Sequence, residues 1–281
     1  MKLVLKKKPK NSTIIEGFPG FGLVGTITTE YLINVLKAEL IGYVQAEEAP
    51  PLVAIHEGNL VQPIGIYYAA KQNLIIMHIM TNIKGIEWDM GQKLIEAYKT
   101  LGAKELISIE GVGTPTVSEE INAYHYANQK KNADKFAKLG FTKLKEGIIL
   151  GVSATLLLQT EAKIALSCIF VETHSNLPDS KAAAKSIEVL DKYLGLKIDY
   201  QPLLEQAKQF EEKIKEVSIK RAINKVDEGS NVLNRVSGLP IIELRVLASR
   251  FADSDEGKEL EAFLIHEFMH AKDMVDPEFD Y

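Results

Sequence analysis

Apolar residues along the first two hundred positions switch repeatedly between two spacings. Short continuous runs read as buried strands, and runs with apolar positions three or four apart read as helices. Ser12 to Glu16 is a short buried strand that enters the glycine-rich stretch Gly17-Phe18-Pro19-Gly20-Phe21-Gly22. Val24, Ile27, Tyr31 and Val35 then mark a helix from about Leu23 to Lys37, and Leu40 to Val44 is a second strand. Strand–helix–strand at this spacing predicts a βαβ unit with parallel pairing and a right-handed crossover. Ile64 to Ala70 and Leu74 to Met80, joined through Lys71-Gln72-Asn73, predict a β-hairpin. Glu87 to Leu101 reads as a helix stopped by Gly102, and Glu105 to Ile109 as a strand ending in a second glycine turn, Gly111-Val112-Gly113-Thr114-Pro115. Ala123 to Ala127 is a further strand candidate. Ile148 to Val152 reads as a strand running into the apolar helix Ala154 to Ala162. Ile164 to Val171 is the last core strand, and Asp179 to Leu194 a helix with Asp179 as N-cap and Gly195 as its stop.

Alternation of this kind predicts a layered α/β sheet over about residues 1–200. The pattern changes at Pro202. Leu203, Ala207, Phe210, Ile214 and Val217 form a stripe of about two heptads, readable as a docking helix or as one folded back on its own domain. Asp227 to Pro240 reads as a connector. The expected division is a core domain over 1–200, a helical extension over 201–251, and an acidic terminal helix and tail over 252–281.

Composition narrows the function. The chain has 281 residues, 46% hydrophobic and 25% charged, which suffices for a substantial core. Its net charge of −5 argues against general nucleic-acid binding. The charge is uneven: residues 252–281 hold ten acids against two lysines, and the remainder is slightly basic. No apolar run approaches the roughly 20 residues that span a bilayer. The basic start lacks an apolar run of the signal-peptide kind. The single cysteine, Cys168, sits among Leu166, Ile169 and Phe170. It reads as a buried thiol in a reducing cytoplasm.

Three motifs carry candidate chemistry. Gly20-Phe21-Gly22-Leu23-Val24-Gly25 is a G-x-G-x-x-G between a strand and a helix, with Glu47 where a ribose-binding acid would sit. A nucleotide-binding enzyme is therefore one reading, although Pro19 and two phenylalanines crowd the turn. His266-Glu267-Phe268-Met269-His270 is an H-E-x-x-H, the zinc-hydrolase spacing. At about 100° per residue, its histidines fall roughly 90–130° from the centre of the apolar face made by Leu260, Phe263, Leu264, Phe268 and Ala271. That phase favours a surface pair over a metal site. Glu172-Thr173-His174-Ser175-Asn176 with Asp179 lies at a strand end, readable as an acid/base pair or as polar caps.

Several segments together resemble the proteasome assembly chaperone two family, widespread in archaea. Glu16 through Gly25 is similar to its opening signature, Gly111-Val112-Gly113 to its second glycine turn, and Glu172-Thr173-His174 with Pro178-Asp179, Ala182-Ala183-Ala184, Leu190 and Leu194-Gly195-Leu196 to its closing signature. The resemblance implies a three-layer αβα fold similar to nucleoside phosphorylases, and self-association into a homo-oligomer. It further implies binding to proteasome α-type subunits or assembly intermediates, with no catalytic residues and no cofactor. It makes Gly17, Gly20, Gly22 and Gly25 a structural turn that presents Phe18 and Phe21 at an interface. Ring-docking proteins often end in hydrophobic–Tyr–any residue, whereas this chain ends Phe279-Asp280-Tyr281. The expected function is an ATP-independent cytoplasmic chaperone or adaptor. Its expected contact residues are Phe263, Leu264 and Phe268 on the last helix, with Phe279 and Tyr281 on the tail.

Overall fold

A computed structural model describes residues 1–205 and 207, apart from 57–58, 114–119, 161–163 and 174–177. The described chain divides into two units. One comprises Met1–Leu52 with Gln62–Gln201; the other comprises Val53–Val61 with the described residues from Pro202 onward. Within the second, β4 (Ala54–His56) and β5 (Asn59–Val61) form a short antiparallel hairpin.

The first unit is built on a nine-stranded sheet. Its strands are β1 (Lys2–Leu5), β2 (Thr13–Gly17), β3 (Glu39–Gln45), β6 (Ile64–Ala69), β7 (Leu74–Ile79), β8 (Glu105–Gly113), β9 (Ala123–Ala127), β10 (Thr142–Lys143) and β11 (Leu166–Thr173). In space they run β1-β3-β6-β7-β2-β8-β11-β9-β10. The central four, β7, β2, β8 and β11, are mutually parallel. They are buried on both faces, which explains their unbroken apolar runs.

Helices cover both faces. α1 (Val24–Val35) and α5 (Ser180–Leu194) pack together on one side, joined by a hydrogen bond between the Thr28 and Ser186 hydroxyls. α2 (Glu87–Leu101) and α4 (Gly151–Gln159) pack together on the other. There Met90, Leu94, Val152 and Leu156 close over Ile14, Met77, Leu106, Cys168 and Phe170. α3 (Lys130–Lys138) lies against β9 and β10. Its one buried side chain, Phe136, is stacked between His125 and Tyr193 with ring centroids 4.7 and 4.0 Å away. The α/β fold expected from the sequence, a central sheet flanked by helices, is the fold observed.

Local chemistry accounts for the helix ends. The Asp179 carboxylate accepts from the Ala182 amide at 2.9 Å, an N-cap. Gly102 and Gly195 end α2 and α5 in the left-handed conformation, at φ 58° and 70°. Asp179 Oδ2 also accepts from the Thr173 hydroxyl at 2.8 Å, so Asp179→Ala removes a cap and a strand-end bond together. Chemical denaturation of that variant should show a loss of about 1–2 kcal/mol.

Three expectations need correction, and one helix had no expectation behind it. β2 and β3 do not pair: the β6–β7 hairpin stands between them, so the βαβ unit is split. No strand forms over Ile148 to Val152. Ile148 is 88% exposed, and α4 starts at Gly151 with φ +73°. The expected turn does not begin at Gly111: Gly111, Val112 and Gly113 extend β8 and pair with Val171, Glu172 and Thr173, while Thr114 and Pro115 lie outside the described residues. α3 was not expected, because its sequence is almost wholly polar: Phe136 is its one buried side chain, helped by an Asn132 hydrogen bond to Glu105 at 2.8 Å.

Candidate functional site

The parallel strands deliver their C-terminal ends to one edge of the first unit, where α/β folds place ligand chemistry. β2 leads there into the glycine stretch. A Cβ on Gly17 would lie 2.1 Å from the Gly25 carbonyl oxygen, and one on Gly25 would lie 2.7 Å from that of Ile109. Strand and helix backbones therefore touch, and α1 rests directly on β2 and β8. Gly22 has φ +60°, and its missing Cβ would fall 2.5 Å from Thr173 Oγ1. The Asp179 amide donates to the Gly22 carbonyl at 2.8 Å. The place where a phosphate would approach the first turn of α1 thus holds the start of α5 and its carboxylate. This packing is the physical argument against the nucleotide-binding reading. Gly20 is different: it is extended, at φ −140°, and no close contact requires a glycine there. Phe21 is 46% exposed, whereas Phe18 is partly buried against the core.

Beneath this edge lies a group of side chains that the sequence analysis did not join into a site. Glu16 on β2 stands in register with Ser108 on β8, and Ser108 with Cys168 on β11. Paired residues share a face, so all three point towards α2 and α4. Glu110, two residues beyond Ser108, points the same way. From α4, Ser153 Oγ lies 2.8 Å from Ser108 Oγ. Glu16 is fully buried, and neither of its carboxyl oxygens has a hydrogen-bond partner; nor has Oε2 of Glu110.

Electrostatics follows from that burial. Removal from water pushes the Glu16 carboxyl up to about 8; the nearby Ser108 hydroxyl draws it partly back, and the Glu110 carboxyl adds to the rise. Burial likewise lifts Glu110 to about 7, opposed by Ser153. The Cys168 thiol is pushed well above its usual range, first by burial and then by the two acids, so it is an inert thiol. Glu105, at the opposite end of β8, shows the contrast. Its Oε1 accepts from Ser167 at 2.5 Å, from Tyr193 at 2.8 Å and from Asn132 at 2.8 Å. Glu105 is a satisfied structural acid. Glu16 has only the Ser108 hydroxyl near it, with neither oxygen in a formed hydrogen bond.

A small pocket of about 140 Å³ opens over this group, lined by Phe18, Pro19, Gly20, Asn82, Ile83, Lys84, Glu87, Ile109, Glu110, Gly151, Val152 and Ser153. The signal that could have found it is a repeated dipeptide. Glu16-Gly17 and Glu110-Gly111 each place an acid at the end of an apolar strand, where a charged residue needs explanation.

The other candidate residues fall elsewhere. Glu172 accepts from Asn122 at 2.8 Å and from Tyr124 at 2.9 Å, and Asp179 caps α5. Their observed contacts are structural, and His174 to Asn176 lie outside the described residues. So do Phe263, Leu264, His266, Glu267, Phe268, His270, Phe279 and Tyr281, and the stripe beyond Ala207. Among the described residues, no group of three or more His, Cys, Asp and Glu is placed to hold a metal. No helix among them is long and apolar enough to cross a membrane.

A central sheet covered on both faces, with two strand-to-helix backbones in glycine contact, defines an α/β scaffold of a particular kind. The profile of the PAC2 family matches residues 14–218, and the chain belongs to that family. The crystal structure of Pyrococcus furiosus PbaA, an archaeal homolog of proteasome-assembly chaperone, superposes with a TM-score of 0.70 at 32% identity. That alignment covers 76% of this chain and 94% of PbaA. P. furiosus PbaB, an archaeal proteasome activator, shares the fold with a TM-score of 0.68 at 23% identity, over 77% of this chain and 98% of PbaB. An uncharacterized protein of Methanocaldococcus jannaschii is 25% identical over 223 residues, which is 78% of this chain and 91% of the relative.

Proposed function

We propose that this protein is an ATP-independent assembly chaperone or adaptor that binds proteasome α-type subunits or their assembly intermediates and works as a homo-oligomer. The observation that carries the reading is its likeness to PbaA, at 32% identity over most of both chains. The packing of the glycine stretch supports it, because backbone contact and the α5 cap fill the place a nucleotide would need. On this reading the protein acts by burying apolar surface against another polypeptide and not by turnover. Exposed Phe21, Ile148, Leu150 and Leu158 supply apolar surface on the first unit. Phe263, Leu264, Phe268, Phe279 and Tyr281 are the proposed partner contacts of the C-terminal region.

Capture of purified α subunits by the full-length protein, with native mass measured for the protein alone and for the mixture, tests the reading. A defined oligomer that retains α subunits is the expected result. F263D/F268D should weaken capture about tenfold or more, since truncating an apolar anchor at a desolvated contact typically costs over 1 kcal/mol. Absence of capture by the wild-type chain would overturn the proposal.

A further inference from the structure

The small pocket over Glu110 is not used by the chaperone reading, yet its chemistry is specific. Its floor carries a buried carboxyl oxygen of Glu110 with no partner. Behind that stands Glu16, fully buried, with both oxygens unpartnered and electrostatically coupled to Glu110. Ser153, almost fully buried, contributes a hydroxyl to the lining and ties it to Ser108. Buried polar atoms are nearly always satisfied, and three orphaned acid oxygens at one strand edge ask for a donor that comes from outside the fold. A buried cation is what the site lacks: Lys84 at the rim is exposed, and the Ser108 and Ser153 hydroxyls, tied to each other at 2.8 Å, are the donors from within the fold.

We propose that this pocket receives an alkylammonium group, with Glu110 as its counter-charge and Ser153 as a second acceptor, above the buried Glu16 carboxyl. Alternative ligands fit less well. An anion would meet the Glu110 and Glu87 carboxyls. An apolar group would leave the orphaned oxygens orphaned. A hard divalent ion takes about six oxygen ligands, several of them anionic, and among the described residues no three His, Cys, Asp or Glu side chains are placed to hold one. An ammonium carries three donors on one small cation, and about 140 Å³ admits such a group with a short alkyl stem but not a nucleoside.

Binding couples to a proton. The groups facing Glu110 are Glu16 from β2, Ser108 from its own strand, Cys168 from β11 and Ser153 from α4, with Lys84 and Glu87 at the rim. None of the buried ones is a cation, so a protonated Glu110 must release its proton to water as the ammonium enters. Affinity should therefore fall below about pH 7, where that proton is held more tightly.

The ammonium has two possible sources, a lysine side chain of a protein partner or a free amine. Calorimetric titration of the full-length protein with n-butylammonium chloride at pH 7.5 should give saturable one-site binding, and tetramethylammonium, which has charge but no N–H, should give none. Glu110→Gln should weaken butylammonium about thirtyfold. Wild-type affinity should drop about tenfold from pH 6.5 to pH 5.5, with one proton released on binding. The proton count and the pH slope are read on the wild-type chain, so they stand even if the variant folds badly. Equal affinity in wild type and a folded Glu110→Gln, no saturable binding, or binding without proton release would each overturn the proposal. A lysine tripeptide with blocked ends, run beside butylammonium, separates the sources: tighter peptide binding marks a protein side chain, tighter amine binding a small molecule, and either upholds the ammonium site. The outcome is independent of the chaperone reading, because α-subunit capture without amine binding would sink this inference and leave that one standing.

Discussion

Gly17→Ala should abolish the native fold or reduce its stability by about 4 kcal/mol or more, whereas Gly20→Ala, three residues on, should change it by no more than about 0.5 kcal/mol. The difference is geometric. A Cβ on Gly17 would sit 2.1 Å from the Gly25 carbonyl oxygen and 2.4 Å from its carbon. Both are backbone atoms, so no rotamer change relieves the clash. α1 would have to lift from β2, and with it the contact between Gly25 and the Ile109 carbonyl on β8. The Val24, Ile27 and Leu32 side chains beneath α1 would then lose their packing. At Gly20 the nearest atom to an added Cβ is 3.9 Å away, and the backbone is extended. Urea denaturation of the soluble fractions checks both. A stable, native-like Gly17→Ala would show that the two backbones do not touch.

Glu16→Gln should flatten the alkaline side of the stability profile. An acid whose carboxyl is raised in the folded state, here from 4.5 to about 8, binds its proton more tightly when folded than when unfolded. Its contribution is least unfavourable below about pH 4.5, and stability is lost progressively as pH rises towards 8. At pH 9 the full penalty is on the order of 4–5 kcal/mol, upper-bounded by relaxation around the charge. The amide keeps the shape and never ionises. The variant should therefore match wild type near pH 5 and exceed it by several kcal/mol at pH 9. Denaturation at pH 5, 7 and 9 reads the difference directly. Parallel profiles for the two proteins would mean that Glu16 ionises without cost, and that water or a partner already satisfies it.

The elements most legible in sequence were those with strong periodicity and capping chemistry. α2 begins at Glu87 and ends at Leu101 as its pattern dictates, with Gly102 in the left-handed stop. The β6–β7 hairpin and the Asp179 cap were equally plain. Ile148 to Val152 misled because an apolar run looks the same whether it pairs or lies on the surface, and here Ile148 and Leu150 remain exposed. α3 was hidden by its lysines, since Phe136 alone enters the space between His125 and Tyr193. The pocket acids were visible as letters, Glu16-Gly17 and Glu110-Gly111, but their meaning depends on which strands become neighbours.

What the chain's own letters determined was the α/β alternation, most helix limits and the glycine signature that marks the family, because these rest on contacts between residues close in sequence. Only the tertiary structure decided that the β6–β7 hairpin separates β3 from β2, that the glycines are filled by Gly25 and the start of α5, and that Glu16, Glu110, Ser108 and Ser153 share one buried face. Strand order and burial are set by which distant apolar surfaces exclude water together. A carboxyl becomes unusual only when the elements around it have closed.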